Sequence, residues 1–511
     1  MNVKISRRKF ILTTALLIPL PVMLSGAGKP NSNCFLHGVA SGDPLQDRVI
    51  IWTRISISDP QRKVVNWEVS QDLEFKQLVA TGTKLISAKA DYTVKVDVKG
   101  LSAGNRYYYR FIYDGQVSPI GLTKTLPNSL DSGTFSMAVV SCSNWEDGYF
   151  NSFRFLAEKE EVDLVLHLGD YIYEYGTGEY GNPESGRINS PRHEVLTLQD
   201  YRTRYAQYRT DPDLQVLHQQ KPFYLIWDDH ELANDAYKDG AKNHQEKEGP
   251  WTLRKKTAIQ AYLEWMPVRV KNASQIRRKF EIGNDISLYL MDERIAGRTR
   301  QMESSEKEFG DSDRAILGKS QFNWLADELK NSKATWKLIA NQVMFSGYAV
   351  ADGFKLPKYN DWWLGYPYER ARILDLLNED VSGNTIFLTG DHHESFVLAV
   401  NKEEKFMNYT KPYTQKPIAW ELLTPSITSK NGDRKEKKEI IEFENMLADS
   451  TINPHLVFGD IKSHGYFIAQ VSKTEFKATY FFVDNILSRN AKERQASAFS
   501  IDAKTFKLLK K

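Results

Sequence analysis

Four apolar, β-type runs in this 511-residue chain each stop at side chains able to bind metal, and that recurrence constrains its fold more tightly than any other feature. Val162-Asp163-Leu164-Val165-Leu166-His167-Leu168 runs into Gly169-Asp170, with Tyr173 three residues on. Met137-Ala138-Val139-Val140 leads to Ser141-Cys142-Ser143-Asn144, and Phe223 to Trp227 leads to Asp228-Asp229-His230-Glu231. Thr385 to Thr389 leads to Gly390-Asp391-His392-His393. Open α/β sheets collect their ligands just beyond the carboxyl ends of the strands. A lone Asp or His after a strand is ordinarily a turn residue or a helix cap. Four such endings, drawn from distant parts of one chain, point instead to a polynuclear metal site built on strand ends.

The chain is longer than one core usually holds, so two domains are expected. Residues 34 to about 128 read as all-β. Val49 to Thr53, Val64 to Val69, Tyr92 to Val98 and Arg106 to Phe111 alternate or are β-branched and aromatic, and Gly42-Asp43-Pro44, Gly100 and Asp114-Gly115 punctuate them. The turn Leu101 to Asn105 before Tyr107-Tyr108-Tyr109 resembles the entry to a late strand of a fibronectin-type sandwich. Its aromatic stripe is expected to be core. After Leu126-Pro127 strands alternate with helices, which predicts an α/β domain over residues 134–511. Helices are expected at Gly148 to Glu158, Leu198 to Leu217, Ser320 to Leu329 and Glu369 to Leu377; the polar stretch Glu293 to Lys319 reads as a surface loop.

Charge and targeting narrow the function. With 68 basic and 65 acidic residues the net charge is +3, and the basic runs are short, so no nucleic-acid partner is called for. Ser6-Arg7-Arg8-Lys9-Phe10 precedes an apolar stretch, Leu12 to Leu24, then Ser25-Gly26-Ala27. A charged start, an apolar segment short for a bilayer and a small-residue cleavage site make residues 1–27 an expected signal peptide of the twin-arginine type. That predicts use of the twin-arginine export machinery, a periplasmic or secreted location, and no stable membrane span in the mature protein. The two cysteines, Cys34 and Cys142, could form one disulfide in an oxidising compartment. Cys142 at a strand end favours a thiolate ligand instead.

Donor chemistry sorts the candidates. Asp170, Asp229 and Asp391 offer hard oxygen suited to calcium, magnesium or ferric iron, while His393 suits a transition metal. Anionic Cys142 and Tyr173 favour a trivalent ion. A bridging Asp170 would hold two ions about 4 Å apart, the spacing used for in-line phosphoryl displacement by a metal-borne hydroxide. His230, beside Asp229, is the candidate to protonate the leaving group.

Gly169-Asp170-Tyr171-Ile172-Tyr173-Glu174 and Trp227-Asp228-Asp229-His230-Glu231 resemble the signatures of PhoD-like alkaline phosphatases, within the calcineurin-like metallophosphoesterases. So do Asn341-Gln342-Val343-Met344, Gly390-Asp391-x-His393 and Thr424 to Ser429, and His37 to Pro44 resembles that family's N-terminal β domain. The resemblance runs from about Phe35 to Val483. It implies a four-layer αββα sandwich behind a small fibronectin-like β domain, with Fe3+ held by Cys142, Asp170, Tyr173 and His393. It further implies Ca2+ held by Asp170, Asp229 and Asp391, with Asp228 a lesser candidate. The sequence departs from the pattern at His392, where a smaller or apolar residue is usual, and at Leu364, where an acid is expected. The expected function is an exported alkaline phosphatase acting on a small-molecule or cell-envelope phosphate ester. The alternatives are a phosphodiesterase or phospholipase D-like hydrolase using the same site, and a glycan-binding envelope protein whose metal is structural.

Overall fold

The computed structural model describes residues 33–57, 63–130, 133–270, 272, 276–349, 360–401 and 417–511. The expected leader, residues 1–27, lies outside them. Strands form because their residues alternate between two buried environments. In Trp336–Asn341, Trp336, Leu338 and Ala340 enter one apolar cluster and Ile339 enters another. Ile386 and Leu388 part from Phe387 in the same way in Asn384–Thr389. That is the period of two expected of strands covered on both faces.

Two large sheets result. The first has ten strands, and at its centre Phe135–Val140, Leu164–His167, Pro222–Leu225 and Val39–Gly42 run parallel. The second has seven, centred on the parallel strands Ile286–Leu290, Trp336–Asn341, Asn384–Thr389 and Ala419–Leu423. Their facing sides share one core: Val139, Leu166 and Leu225 from the first sheet cluster with Leu288, Leu338, Ile386 and Leu422 from the second. Helices Asn151–Ala157 and Pro212–Gln220 cover the first sheet, contributing Phe153, Leu156, Leu214 and Leu217. Gly318–Asn331 and Pro367–Glu379 cover the second, packing Leu325, Leu329, Ile373 and Leu377 onto Ile339 and Phe387. The expected αββα sandwich is the observed architecture.

The N-terminal β region is less separate than its composition implies. A five-stranded sheet around Val64–Ser70 and Arg106–Tyr113 packs on Arg48–Arg54 and Thr93–Lys99, with Tyr107, Tyr109 and Phe111 buried between as core. Yet those last two strands continue the ten-stranded sheet through Val39–Gly42, whose Ser41 and Gly42 pair with Pro222 and Phe223. Gly42 permits the approach, since a Cβ there would lie 2.4 Å from the Pro267 carbonyl oxygen and 2.8 Å from that of Phe223. Residues 34–511 accordingly pack as one unit.

One expected helix is two. Leu198–Tyr208 stops before Pro212–Gln220, because Asp211 caps the second helix by accepting from the Asp213 and Leu214 amides, with Pro212 in its first turn. No helix among the described residues is long and apolar enough to cross a membrane.

Candidate metal centre

Strand register sets the site. Val140, His167 and Leu225 are level across the first sheet, so the segments after them leave side by side. Asn341, Thr389 and Leu423 are level in the second. An isolated bridge between Ser141 and Ser426 ties the two sets of strand ends together. The turns are tight: Cys142, Asp170, Asp391 and His393 all have positive φ, 60°, 56°, 59° and 69°. A left-handed backbone costs a residue other than glycine roughly 1–3 kcal/mol and persists only where the surroundings impose it, as at functional sites. Gly169, at φ +114°, lets the Asp170 turn close on its neighbour, for a Cβ there would lie 2.4 Å from Asp228 Cβ.

These turns bring the candidates together in three linked groups, each with donor atoms within 4.8 Å of one another. Cys142, Asp170 and His393 form one; Asp170, Asp229 and His230 the second; Asp228, Asp229 and Asp391 the third. Asp170 joins the first pair of groups and Asp229 the second. The Tyr173 hydroxyl donates to Asp170 Oδ2 at 3.1 Å and stands 3.3 Å from His393 Nε2. The Cys142 thiol lies 3.5 Å from the same Asp170 oxygen. The donors are also oriented from behind: Ser429 Oγ lies 2.6 Å from the Tyr173 hydroxyl, and His393 Nδ1 is fixed at 2.7 Å by the Lys430 carbonyl.

His230 is surrounded by carboxylates. Its Nδ1 lies 2.7 Å from Glu174, whose other oxygen accepts from the Asn234 amide and the Asn243 side chain. Its ring stacks on Tyr173 with centroids 4.1 Å apart. Burial works against the charge, but Asp170, Asp229 and Glu174 outweigh it and raise the imidazole well above its ordinary range.

The donor set fits cations. Burial drives the Asp170 and Asp228 carboxyls well above the usual range, with neighbouring carboxylates adding to the effect, and burial lifts Asp391 to about 7. Against burial, Arg294 and His230 hold Asp229 down at about 2. Burial, then Asp170, raises the Cys142 thiol and the Tyr173 phenol well above their ordinary values. Asp228 Oδ2 and Asp229 Oδ1 are buried with no hydrogen-bond partner among the described residues. So many close, under-neutralised carboxylates are costly without positive charge. A cation binding here would displace protons from the thiol and phenol.

Sequence reasoning missed the charge that the protein itself supplies. Glu293 to Lys319 was expected to be surface, but Glu293, Arg294 and Arg298 are fully buried. Arg294 donates from Nε to Asp228, from Nη1 to Asp361 at 2.5 Å and from Nη2 to Asp391 at 2.9 Å. Arg298 and Gln301 hold the other Asp361 oxygen at 2.6 and 2.7 Å. Polarity misled the reading, because most side-chain partners of these residues lie 49 to 97 positions away in sequence. Glu231 was equally unread: it gathers the amides of Asp170, Tyr171 and Asp228 and so fixes two strand ends to each other.

Other polar residues serve the scaffold. Asn341 donates to the Val343 carbonyl and Thr389, and accepts from Trp363. His392 packs against Trp362 and Phe396, outside the three groups. His167 is buried and accepts from the Gly169 amide. His455 meets the Gly347 carbonyl, and His464 lies between Ser426 and Asp433. Both cysteines are unpaired, so the disulfide alternative is not realised.

Residues 137–480 match the family of PhoD-like phosphatases, and residues 23–127 match its N-terminal domain. Alkaline phosphatase D of Bacillus subtilis (strain 168) is 35% identical over 94% of this chain and 84% of its own length. A solved structure of PhoD superposes with a TM-score of 0.83 at 32% identity, covering 95% of this chain and 93% of that one. Purple acid phosphatase PPD1 from yellow lupin shares the fold at a TM-score of 0.57 and 10% identity, over 91% and 74% of the two chains. The chain belongs to the PhoD-like phosphatases and is a phosphoric-ester hydrolase.

Proposed function

We propose that this chain is an exported alkaline phosphatase acting on phosphomonoesters at a centre holding Fe3+ and Ca2+. Cys142, Asp170, Tyr173 and His393 would hold the iron; Asp170, Asp229 and Asp391, with Asp228 a lesser candidate, would hold calcium. The observation that carries the reading is the linkage of three donor groups through Asp170 and Asp229. Soft sulfur, phenol and imidazole lie at one end and carboxylates alone at the other, a gradient that suits a transition ion beside a hard one. When bound, such ions neutralise phosphate charge and acidify a water.

The chain's own residues do the rest. Glu174 anchors His230 through Nδ1, which leaves Nε2 to donate a proton to the departing alkoxide. Arg294 and Arg298 hold Asp228, Asp391 and Asp361 in place, so the carboxylates stay fixed as charge builds on phosphate. The Arg7-Arg8 leader supports export by the twin-arginine route to the periplasm or beyond.

The test is hydrolysis of p-nitrophenyl phosphate against bis-p-nitrophenyl phosphate, with calcium added or chelated. Calcium-dependent cleavage of the monoester is expected, and His230→Ala should lower kcat by about 10²–10⁴. Failure of iron- and calcium-loaded protein to cleave either ester would refute the reading.

A further inference from the structure

The loop that carries Arg294 also walls a cavity of about 520 Å³, at the carboxyl end of the strand Ile286–Leu290. Asp292 and Ile295 to Gly297 follow that strand into the wall, and Arg277 arrives just before Arg278, which pairs with Leu290. Helix Trp251–Trp265 contributes Lys255, and the first turn of Gly318–Asn331 contributes Lys319. None of the cavity's residues belongs to the three donor groups of the metal centre.

Its lining is lopsided in charge. Lys238, Lys255, Arg277 and Lys319 face one carboxylate, Asp292, which already accepts from the Arg294 and Ile295 amides at 3.0 and 2.9 Å. Lys255 donates to the Lys238 carbonyl at 2.7 Å and Arg277 to Ser320 Oγ at 3.3 Å. Among the described residues none of the four cations makes an ion pair within 4.0 Å, although Lys255 lies in electrostatic reach of Asp239 and Asp292. Ile259, Ile276, Ile295 and Leu317 supply an apolar wall beside this charge. A volume of this order is that of a small-molecule pocket, far larger than a bare inorganic anion needs.

We propose that this cavity binds an organic anion, a phosphate- or phosphonate-headed molecule with a short apolar body, independently of the metal centre. The ammonium and guanidinium groups take the head, and the isoleucine wall takes the body. Nothing in this inference depends on which metals the catalytic centre holds.

Hexylphosphonate is the probe, because its P–C bond is not an ester. Isothermal titration is run on the full protein and on Asp229→Asn, Lys238→Glu/Lys319→Glu and Ala296→Trp. Lys238, Lys319 and Ala296 are exposed, so these changes should leave the fold intact, and Ala296→Trp tests the cavity by shape instead of charge. The expected result is binding that persists in Asp229→Asn and weakens roughly tenfold, about 1.4 kcal/mol, in both cavity variants. Absence of binding to the unaltered protein overturns the proposal. So does unchanged affinity in either cavity variant, or loss of binding in Asp229→Asn.

Discussion

Arg294 is the residue on which the electrostatics of the centre turn. It is fully buried and donates to Asp228, Asp361 and Asp391, with Asp229 at 3.6 Å. Removing one partner of a buried ion pair typically costs about 3–5 kcal/mol, because the remaining charge stays buried and unpaired. Arg294→Met should therefore lower the urea midpoint of metal-free protein sharply; an unchanged midpoint would mean that these carboxylates are neutral without it. Tyr173 gives a spectroscopic prediction. If its phenolate binds iron, the purified protein carries a visible charge-transfer band that Tyr173→Phe abolishes, and unaltered colour in the variant removes tyrosine from the iron site. Asp170, Asp229, Asp391 and His393 stood out as candidates because each follows an apolar, β-type run. Arg294 and Asp361 did not, since burial of a charged loop residue depends on partners that sequence spacing does not reveal. Leu364 stood where an acid was sought, and Asp361, three residues earlier, is a carboxylate that reaches Arg294.

At the scale of elements, strand existence was easier to read than helix limits. Apolar runs bounded by Gly and Asp marked the central strands of both sheets, and observed limits differ by a residue or two, as at Pro222–Leu225 and Asn384–Thr389. The split at Asp211-Pro212 was masked by Tyr and Leu at helical spacing on both sides. Strand Trp336–Asn341 also carries a pH prediction. Lys337 is buried, donates to the Ala334 carbonyl at 2.8 Å, and is lowered by burial to about 8 from its ordinary 10.5. Between those values the unfolded chain binds the extra proton, so this lysine's contribution to stability rises with pH. Lys337→Met should flatten that part of the stability profile between pH 8 and 10.5, measured by urea unfolding; an identical slope in the variant would mean that the amine titrates normally.

For the whole molecule, the lesson is continuity. A change of composition near residue 128 suggested a boundary, yet the ten-stranded sheet crosses it by pairing Val39–Gly42 with Pro222–Leu225. Composition reports which segments are β-rich; it does not report which sheet they join. Gly42→Val should strain this seam, since the added carbon would meet the Pro267 and Phe223 carbonyls. A lowered melting temperature of the whole unit is expected, and a transition confined to the N-terminal region would indicate two independently folding parts. Above all, distant strand ends converge on one shared carboxylate, Asp170, which is proposed to serve more than one cation. Elemental analysis of purified protein beside Asp170→Asn tests this most directly. Iron and calcium should both be present in the parent protein and both be depleted in the variant, whereas full retention of both by Asp170→Asn would contradict the claim.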